Sequence, residues 1–322
     1  MSGAQQGWVN HPPYIWLAHG AVVVALAVLA FVLPEYHHGN MARIMVLACF
    51  AMAYNLAFGY AGLLSLGHAM FFGAGVYVAG LGIQNLDLSA AAALALAPVA
   101  GGALALAVGL LALRTAGVSF MIVTLMFAQA AFLLTSYFGE ITRADEGFVI
   151  ARAARQIAGI DLGDPVARYW AALVLFTLCR FACLALVRAR IGRVMIAIRE
   201  NEARTQMLGY NTFAAKLLTL VISGAMAGLA GGAYAVLFGY VGATFASIQY
   251  SILPLLWVLL GGAGVVLGPF LGALLMFYLI DLTSSVTDAY LMVVGAVLVA
   301  LVLYAPRGLL GLVRARWAGW LP

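Results

Sequence analysis

Charge is the scarcest property of this 322-residue chain. Only 8% of its residues are Asp, Glu, Lys or Arg, against about 25% in soluble domains. Lysine occurs once, as Lys216. Hydrophobic residues make up 66% of the chain, and mean hydropathy is +1.07. A water-soluble fold cannot hide that much apolar surface, so the solvent for most of the chain is lipid. No long polar stretch remains to build a separate soluble domain. Residues 1–322 therefore read as one integral membrane domain.

Further absences narrow the chemistry. A phosphate-binding loop needs G-x-x-x-x-G-K-[ST], whose lysine meets the terminal phosphates. The nearest approach, Gly62 to Ala69, has both glycines but places His68 and Ala69 where Lys and Ser/Thr belong. This chain is not expected to hydrolyse ATP. Ion-coupled carriers and proton pumps place charges at mid-membrane, yet every Asp and Glu falls at a span end or in a loop. Arg180 lies inside an apolar run, eight residues before Arg188, and is expected to snorkel toward the interface. Neither H-E-x-x-H nor a pair of converging carboxylates occurs, so no enzyme is expected. Cys49, Cys179 and Cys183 all sit in apolar segments and read as small buried residues. His37 and His38 read as loop residues. No metal site and no bound cofactor is expected.

What is present is a series of apolar runs, at 15–33, 41–58, 66–84, 88–113, 117–138, 167–188, 213–240, 250–262, 265–281 and 288–305. They are apolar all round and too long for barrel strands, so they are helices. Three are short or broken by glycine. The expected fold is an all-α polytopic membrane protein with about eight to ten transmembrane helices, some broken, at roughly 20 residues per span. The first run has no basic region before it and no small-residue cleavage site at its end, so it reads as a retained span.

Seven of the sixteen basic residues lie between 180 and 216, and Arg307, Arg314 and Arg316 follow the last run. Both regions are expected on the cytoplasmic side. The net charge of +5 is thus topology information and not a nucleic-acid surface. The loop 139–166, with Glu140, Asp145, Glu146, Asp161 and Asp164 against Arg143, Arg152 and Arg155, falls outside. It is long enough to carry a short external helix or to meet a partner. Counting back puts the N-terminus inside and leaves Arg43 outside, an exception to the rule.

Four stretches carry information beyond hydropathy. Between 55 and 75, glycines interrupt a helical run, and Asn55, Ser65 and His68 are polar at membrane depth. Irregular backbone survives there only if buried in protein or facing a cavity. Asn55, Gly59, Tyr60, Gly62, Ser65, Gly67 and His68 are therefore candidates for lining a pathway, or for tight internal packing. Gly224, Gly228 and Gly232 recur every four residues and line a small surface for close helix packing. Gly261 to Pro269 holds four glycines and a proline, ending one helix and starting another. Residues 190–211 hold Arg190, Arg193, Arg199, Glu200, Glu202 and Arg204 between apolar residues. Gly192 and Gly209 bracket this stretch, which predicts one helix on the inner face. Glu200 and Arg204 have the favourable i, i+4 order. The apolar positions form no clean stripe, so a groove on another protein suits the helix better than lipid.

Three blocks carry a family resemblance: N-L-A-F-G-Y-A-G-L-L-S-L-G-H-A-M-F-F-G-A-G-V-Y (55–77), I-G-R-V-M-I-A-I-R-E-N-E-A-R-T-Q-M-L-G-Y-N (191–211) running into 214–235, and L-L-G-G-A-G-V-V-L-G-P-F-L-G-A (259–273). In order and spacing they resemble the permease subunit of branched-chain amino acid ABC importers. The resemblance implies a non-enzymatic multi-pass permease in a bacterial inner membrane. It implies a second, similar permease as heterodimer partner, two cytoplasmic ATPase subunits that hold ATP and magnesium, and a periplasmic binding protein. It assigns Gly192, Arg193, Arg199, Glu200, Glu202, Ala203, Arg204 and Gly209 to a coupling region, a degenerate relative of the E-A-A loop. Relatives of the same type import urea, short amides, or aromatic and dicarboxylic acids. A stand-alone carrier or channel is the competing class. The chain departs from the family at one place: where such permeases commonly show a glycine pair after the fifth span, it has Arg143-Ala144.

Overall fold

The computed structural model describes residues 14–144, 146–305 and 308–316. Asp145 of the loop and Arg307 of the C-terminal basic group lie outside them. Ten apolar helices match the ten runs: α1 (Tyr14–Val32), α2 (Glu35–Asn55), α3 (His68–Leu86), α4 (Ala90–Ala112), α5 (Val118–Tyr137), α7 (Pro165–Arg188), α10 (Thr212–Phe238), α11 (Ile248–Gly261), α12 (Gly268–Ser284) and α13 (Tyr290–Tyr304). The remaining helices are short: α6 (Gly139–Thr142), α8 (Arg190–Glu200), α9 (Glu202–Met207) and α14 (Leu309–Arg316). Seven of the ten, α1 to α5, α7 and α10, are long and apolar enough to cross a bilayer by themselves. Helix α2 starts earlier than its apolar run, so His37 and His38 lie in its first turn and not in a loop. His38 Nε2 meets the Ala30 carbonyl at 3.0 Å.

Helices α2 and α10 form the centre: 89% of the α2 window and 78% of the α10 window are buried, against 17% for α1 and α5 at the rim. Glycine sets how closely α10 is held. A Cβ placed on Gly224 would stand 2.3 Å from Ala105 Cβ, on Gly228 2.5 Å from the Ala97 oxygen, and on Gly232 2.4 Å from Ala97 Cβ. The face they meet on α4, Ala97-Gly101-Ala105, has the same four-residue period. On the other flank, a Cβ on Gly75 of α3 would be 2.0 Å from the Gly228 oxygen. Three backbones thus meet with no more than an alanine methyl between them, so dispersion replaces the hydrophobic effect that lipid cannot supply.

Helices α1 and α7 run antiparallel. Trp16 stacks on Phe181, Tyr169 donates to the Leu26 carbonyl at 2.6 Å, and Phe31 meets Trp170 edge-on. Between these pairs, Arg180 is fully buried and donates from Nε to His19 Nδ1 at 3.0 Å. It does not snorkel. The α1 helix covers it, and the Phe176 ring faces its guanidinium at 5.7 Å. Arg188 fills the interfacial role instead, over the Trp16 ring at 5.2 Å.

The loop 139–166 folds onto its own chain. Strand β1 (Phe148–Val149) pairs antiparallel with β4 (Tyr240–Val241), Phe148 opposite Val241. Strands β2 (Gln156–Ile157) and β3 (Ile160–Asp161) form a hairpin turned by Ala158 and Gly159, both at positive φ. Arg152 donates to Asp161 at 2.7 Å. The Gly163 N–H, and then Arg152, hold the Asp161 carboxyl below its usual range. Arg143 and Ala144 carry φ of 58° and 42°, the left-handed region that glycine occupies without cost.

Candidate functional site

The charged stretch is an elbow of two helices, not the one helix expected. Helix α8 folds sharply back on the end of α7 because Gly192 lacks a side chain. A Cβ there would lie 2.1 Å from the Val187 oxygen. Gly192, Met195 and Ile198 are buried against the rest of the chain, while Arg190, Arg193, Arg199 and Glu200 are exposed. Taken to Glu200, the apolar positions do form one stripe. Running both helices together in one pattern hides it.

Asn201 breaks the stretch. Its backbone is extended, φ −162° and ψ 102°, and its Oδ1 caps α9 by accepting from the Arg204 N–H at 2.9 Å. The break cancels the expected i, i+4 pairing of Glu200 with Arg204. The acidic partner used is Glu202, which meets Lys216 of α10 at 2.6 Å. Lys216 is 10% exposed and Glu202 37%, so this bridge ties the elbow to the central helix with its lysine side sheltered and its glutamate side open to water. Ala203 and Arg204 face outward, and Gly209 ends the elbow at φ +88°. Met207, Leu208 and Tyr210 are 85%, 71% and 52% exposed. A bare apolar tip beside exposed arginines, on a chain this short of charge, suits a protein partner.

From the elbow, Arg199 reaches into the membrane domain. Its Nη1 donates to the Gly59 carbonyl, and its stem lies over Gly62, where a Cβ would be 3.1 Å from Arg199 Cγ. Gly59 belongs to a π-helical turn, Leu56–Tyr60, that ends α2. Such turns recur at functional sites because they open the regular ladder of hydrogen bonds. Gly59 itself faces Asn55, whose Oδ1 accepts from Gly264 N–H and whose Nδ2 donates to the Val265 carbonyl, both at 3.0 Å. Arg314 of α14 donates to the Gly264 carbonyl at 3.1 Å. Elbow, broken α2, glycine turn and C-terminal helix thus converge on one point.

After Leu63, whose N–H still donates to the Ala57 carbonyl, the backbone leading into α3 has no helical partners, and lipid offers none. Protein groups supply them. Leu66 N–H donates to Thr124 Oγ1, Gly67 N–H to Ser65 Oγ, and Ala69 N–H to Ser251 Oγ, at 3.1–3.2 Å. His68 is fully buried, with Nε2 2.9 Å from Ser223 Oγ. The Ser223 hydroxyl gives its proton to the Ala53 carbonyl at 2.6 Å. His68 must therefore donate from Nε2, which makes it a neutral Nε2–H tautomer or a cation. Tyr54 and Phe71 pack edge-on against its ring.

The structure brings all seven candidate lining residues together as a packed plug. Asn55, Tyr60, Ser65 and His68 are buried, and Gly59 and Gly67 admit no side chain; a Cβ on Gly67 would be 2.6 Å from the Thr124 oxygen. Of the seven, only Gly62 is exposed, toward Arg199. The glycines Gly224, Gly228 and Gly232 flank this plug on α10, beside Ser223. Sequence reasoning missed Thr124, Ser251 and the latching role of Arg314. Isolated hydroxyls in apolar spans were the available signal for the first two. In sequence Arg314 reads only as a topology charge.

The LivM permease protein of the high-affinity branched-chain amino acid transport system of Escherichia coli (strain K12) is 29% identical over 319 residues. That match covers 91% of this chain and 75% of the relative. The LivM protein of Salmonella typhimurium is 28% identical over 293 residues, covering 84% of this chain and 69% of the relative. No solved structure matches the chain. The family described as branched-chain amino acid transport system / permease component matches residues 39–302, most of the chain, and the protein belongs to that family.

Proposed function

We propose that this chain is the membrane-spanning permease subunit of an ATP-driven importer of branched-chain amino acids. It pairs with a second permease, receives substrate from a periplasmic binding protein, and is driven by two ATPase subunits that carry ATP and magnesium. It sits in the bacterial inner membrane with the elbow and the C-terminus cytoplasmic. The observation that carries this reading is the elbow itself. A chain without a nucleotide-binding motif exposes Arg193, Arg199, Glu200, Ala203, Arg204 and the Met207–Tyr210 tip at one end. It anchors them by Glu202–Lys216 and by Arg199 to the plug. A push on the elbow is then a push on the broken end of α2. Family membership and the names of the relatives support the substrate class.

The test is reconstitution in liposomes with both permeases, the ATPases and the binding protein. Leucine uptake is expected to require all of them, and the chain alone is expected to transport nothing. Glu202→Ala is expected to lower uptake per ATP hydrolysed about tenfold, with membrane insertion intact. Loss of Glu202 leaves the nearly buried Lys216 ammonium without its partner, which costs about 1–3 kcal/mol. Uptake by the chain alone would make it a carrier or channel. Unchanged coupling in Glu202→Ala would remove the elbow from the mechanism.

A further inference from the structure

A cavity of about 300 Å³ opens between α2, α10, α11 and α12 at the end opposite the elbow. That is the lower end of the range for small-molecule sites, roughly 300–1,000 Å³. Arg43 and Asp281 both line it, and Leu47, Leu253 and Trp257 give it an apolar wall. Both charged residues are exposed, and neither belongs to the two ion pairs found among the described residues. The Arg43 guanidinium lies 5.3 Å from the Phe238 ring centre, a cation–π contact that orients it without neutralising it.

Arg43 is also one of the basic residues outside the inner cluster that topology favours. It sits with the end of α10 at Phe238, far from the elbow and its cluster of arginines. Of the outer-end arginines, Arg143, Arg152 and Arg155 belong to loop 139–166 and Arg168 to the start of α7, whereas Arg43 lines a cavity among the helices. A guanidinium fork matches a carboxylate, an aspartate matches an ammonium, and the wall between them matches a branched aliphatic chain.

We infer that this cavity is the entry site for the transported solute. It takes an α-amino acid zwitterion with its carboxylate on Arg43, its ammonium on Asp281 and its side chain against Leu47, Leu253 and Trp257. The inference rests on the reading of the chain as an amino acid permease and deepens it. The two opposite charges let a zwitterion enter without carrying net charge into the domain. Because both remain open to water, they hold it weakly, and a transit site must let go. Trp257 lies on α11, whose far end is the glycine turn gripped by Asn55 and Arg314. Four residues of that helix, about 6 Å at 1.5 Å per residue, therefore join the Trp257 wall of the entry site to the glycine turn at Gly261.

The test uses the complete reconstituted importer. Arg43→Gln and Asp281→Asn are each expected to lower leucine uptake efficiency about tenfold or more, while Arg43→Lys loses only a few-fold. A binding readout independent of transport comes from Ser284→Cys at the exposed rim of the cavity. Leucine at millimolar concentration should slow its modification by a membrane-impermeant thiol reagent. 4-Methylpentanoate, which lacks the ammonium, and isoamylamine, which lacks the carboxylate, should not. Arg43→Gln should abolish the protection. Equal protection by the analogues, or no protection in the charge-intact importer, overturns the site, as does unchanged uptake in both charge variants. If the unmodified importer takes up no branched-chain amino acid, the functional reading itself falls. If it does and the site tests fail, only the site falls.

Discussion

Arg143 and Ala144 show how a departure in sequence becomes a physical cost. Both occupy the left-handed region, where an L side chain costs roughly 1–2 kcal/mol. A glycine pair, which the family resemblance implies at this place, would remove that cost. Ala144→Gly is expected to stabilise the protein by about 0.5–1 kcal/mol, after subtracting the greater freedom of glycine in the unfolded chain. Thermal unfolding in detergent checks this, and a lower midpoint would show that the turn is not strained. At the same scale, Arg180 and Arg199 show what a lone arginine's position leaves open. Sequence position sends Arg180 toward water, yet α1 roofs it against His19. Arg199 reads in sequence as one of several surface charges, yet it is the residue that grips Gly59.

Elements differ in how far a local pattern defines them. The four-residue glycine period of α10 was legible because it records geometry: one small residue per turn clears one helix face. The facing ladder Ala97-Gly101-Ala105 was also present in the sequence, but an alanine-rich run offers no contrast to pick it out. Gly228 sits deepest in this packing, its own Cβ position 2.5 Å from one backbone oxygen and 3.0 Å from Gly101 Cα. Gly228→Leu is expected to cost well over the roughly 1–3 kcal/mol of ordinary overpacking, because the obstacles are backbone atoms. Co-purification with the second permease and thermal stability in detergent both read this, and unchanged values would mean the helices separate freely. The elbow was less legible. Its charges marked its place, but the break at Asn201 depends on one side chain capping the next helix. That choice is made between nearly equal alternatives when a helix former follows.

For the whole molecule, charge bias and span parity lead to a testable topology. Loop 139–166 and the ends of α3, α10 and α12 lie at one end; the elbow, the glycine turn and α14 lie at the other. The Arg43 exception is consistent with this, since its guanidinium shares the Phe238 ring with Arg168 of α7. Ile160→Cys and Leu208→Cys, 56% and 71% exposed, are expected to react with an impermeant thiol reagent from opposite sides of the membrane. The three native cysteines are buried and should stay silent. Labelling of both from one side would refute the topology.

Residence in the membrane, the number of apolar helices and the place of the charged elbow all follow from composition and order. Each depends only on local transfer energies and on charges near span ends. The plug, the latch and the entry cavity do not follow. Arg199 and Gly59 are 140 residues apart, and Asn55 and Val265 are 210 apart. Lipid leaves every broken-helix amide in need of a protein partner, and which partner answers is settled only when the helices pack.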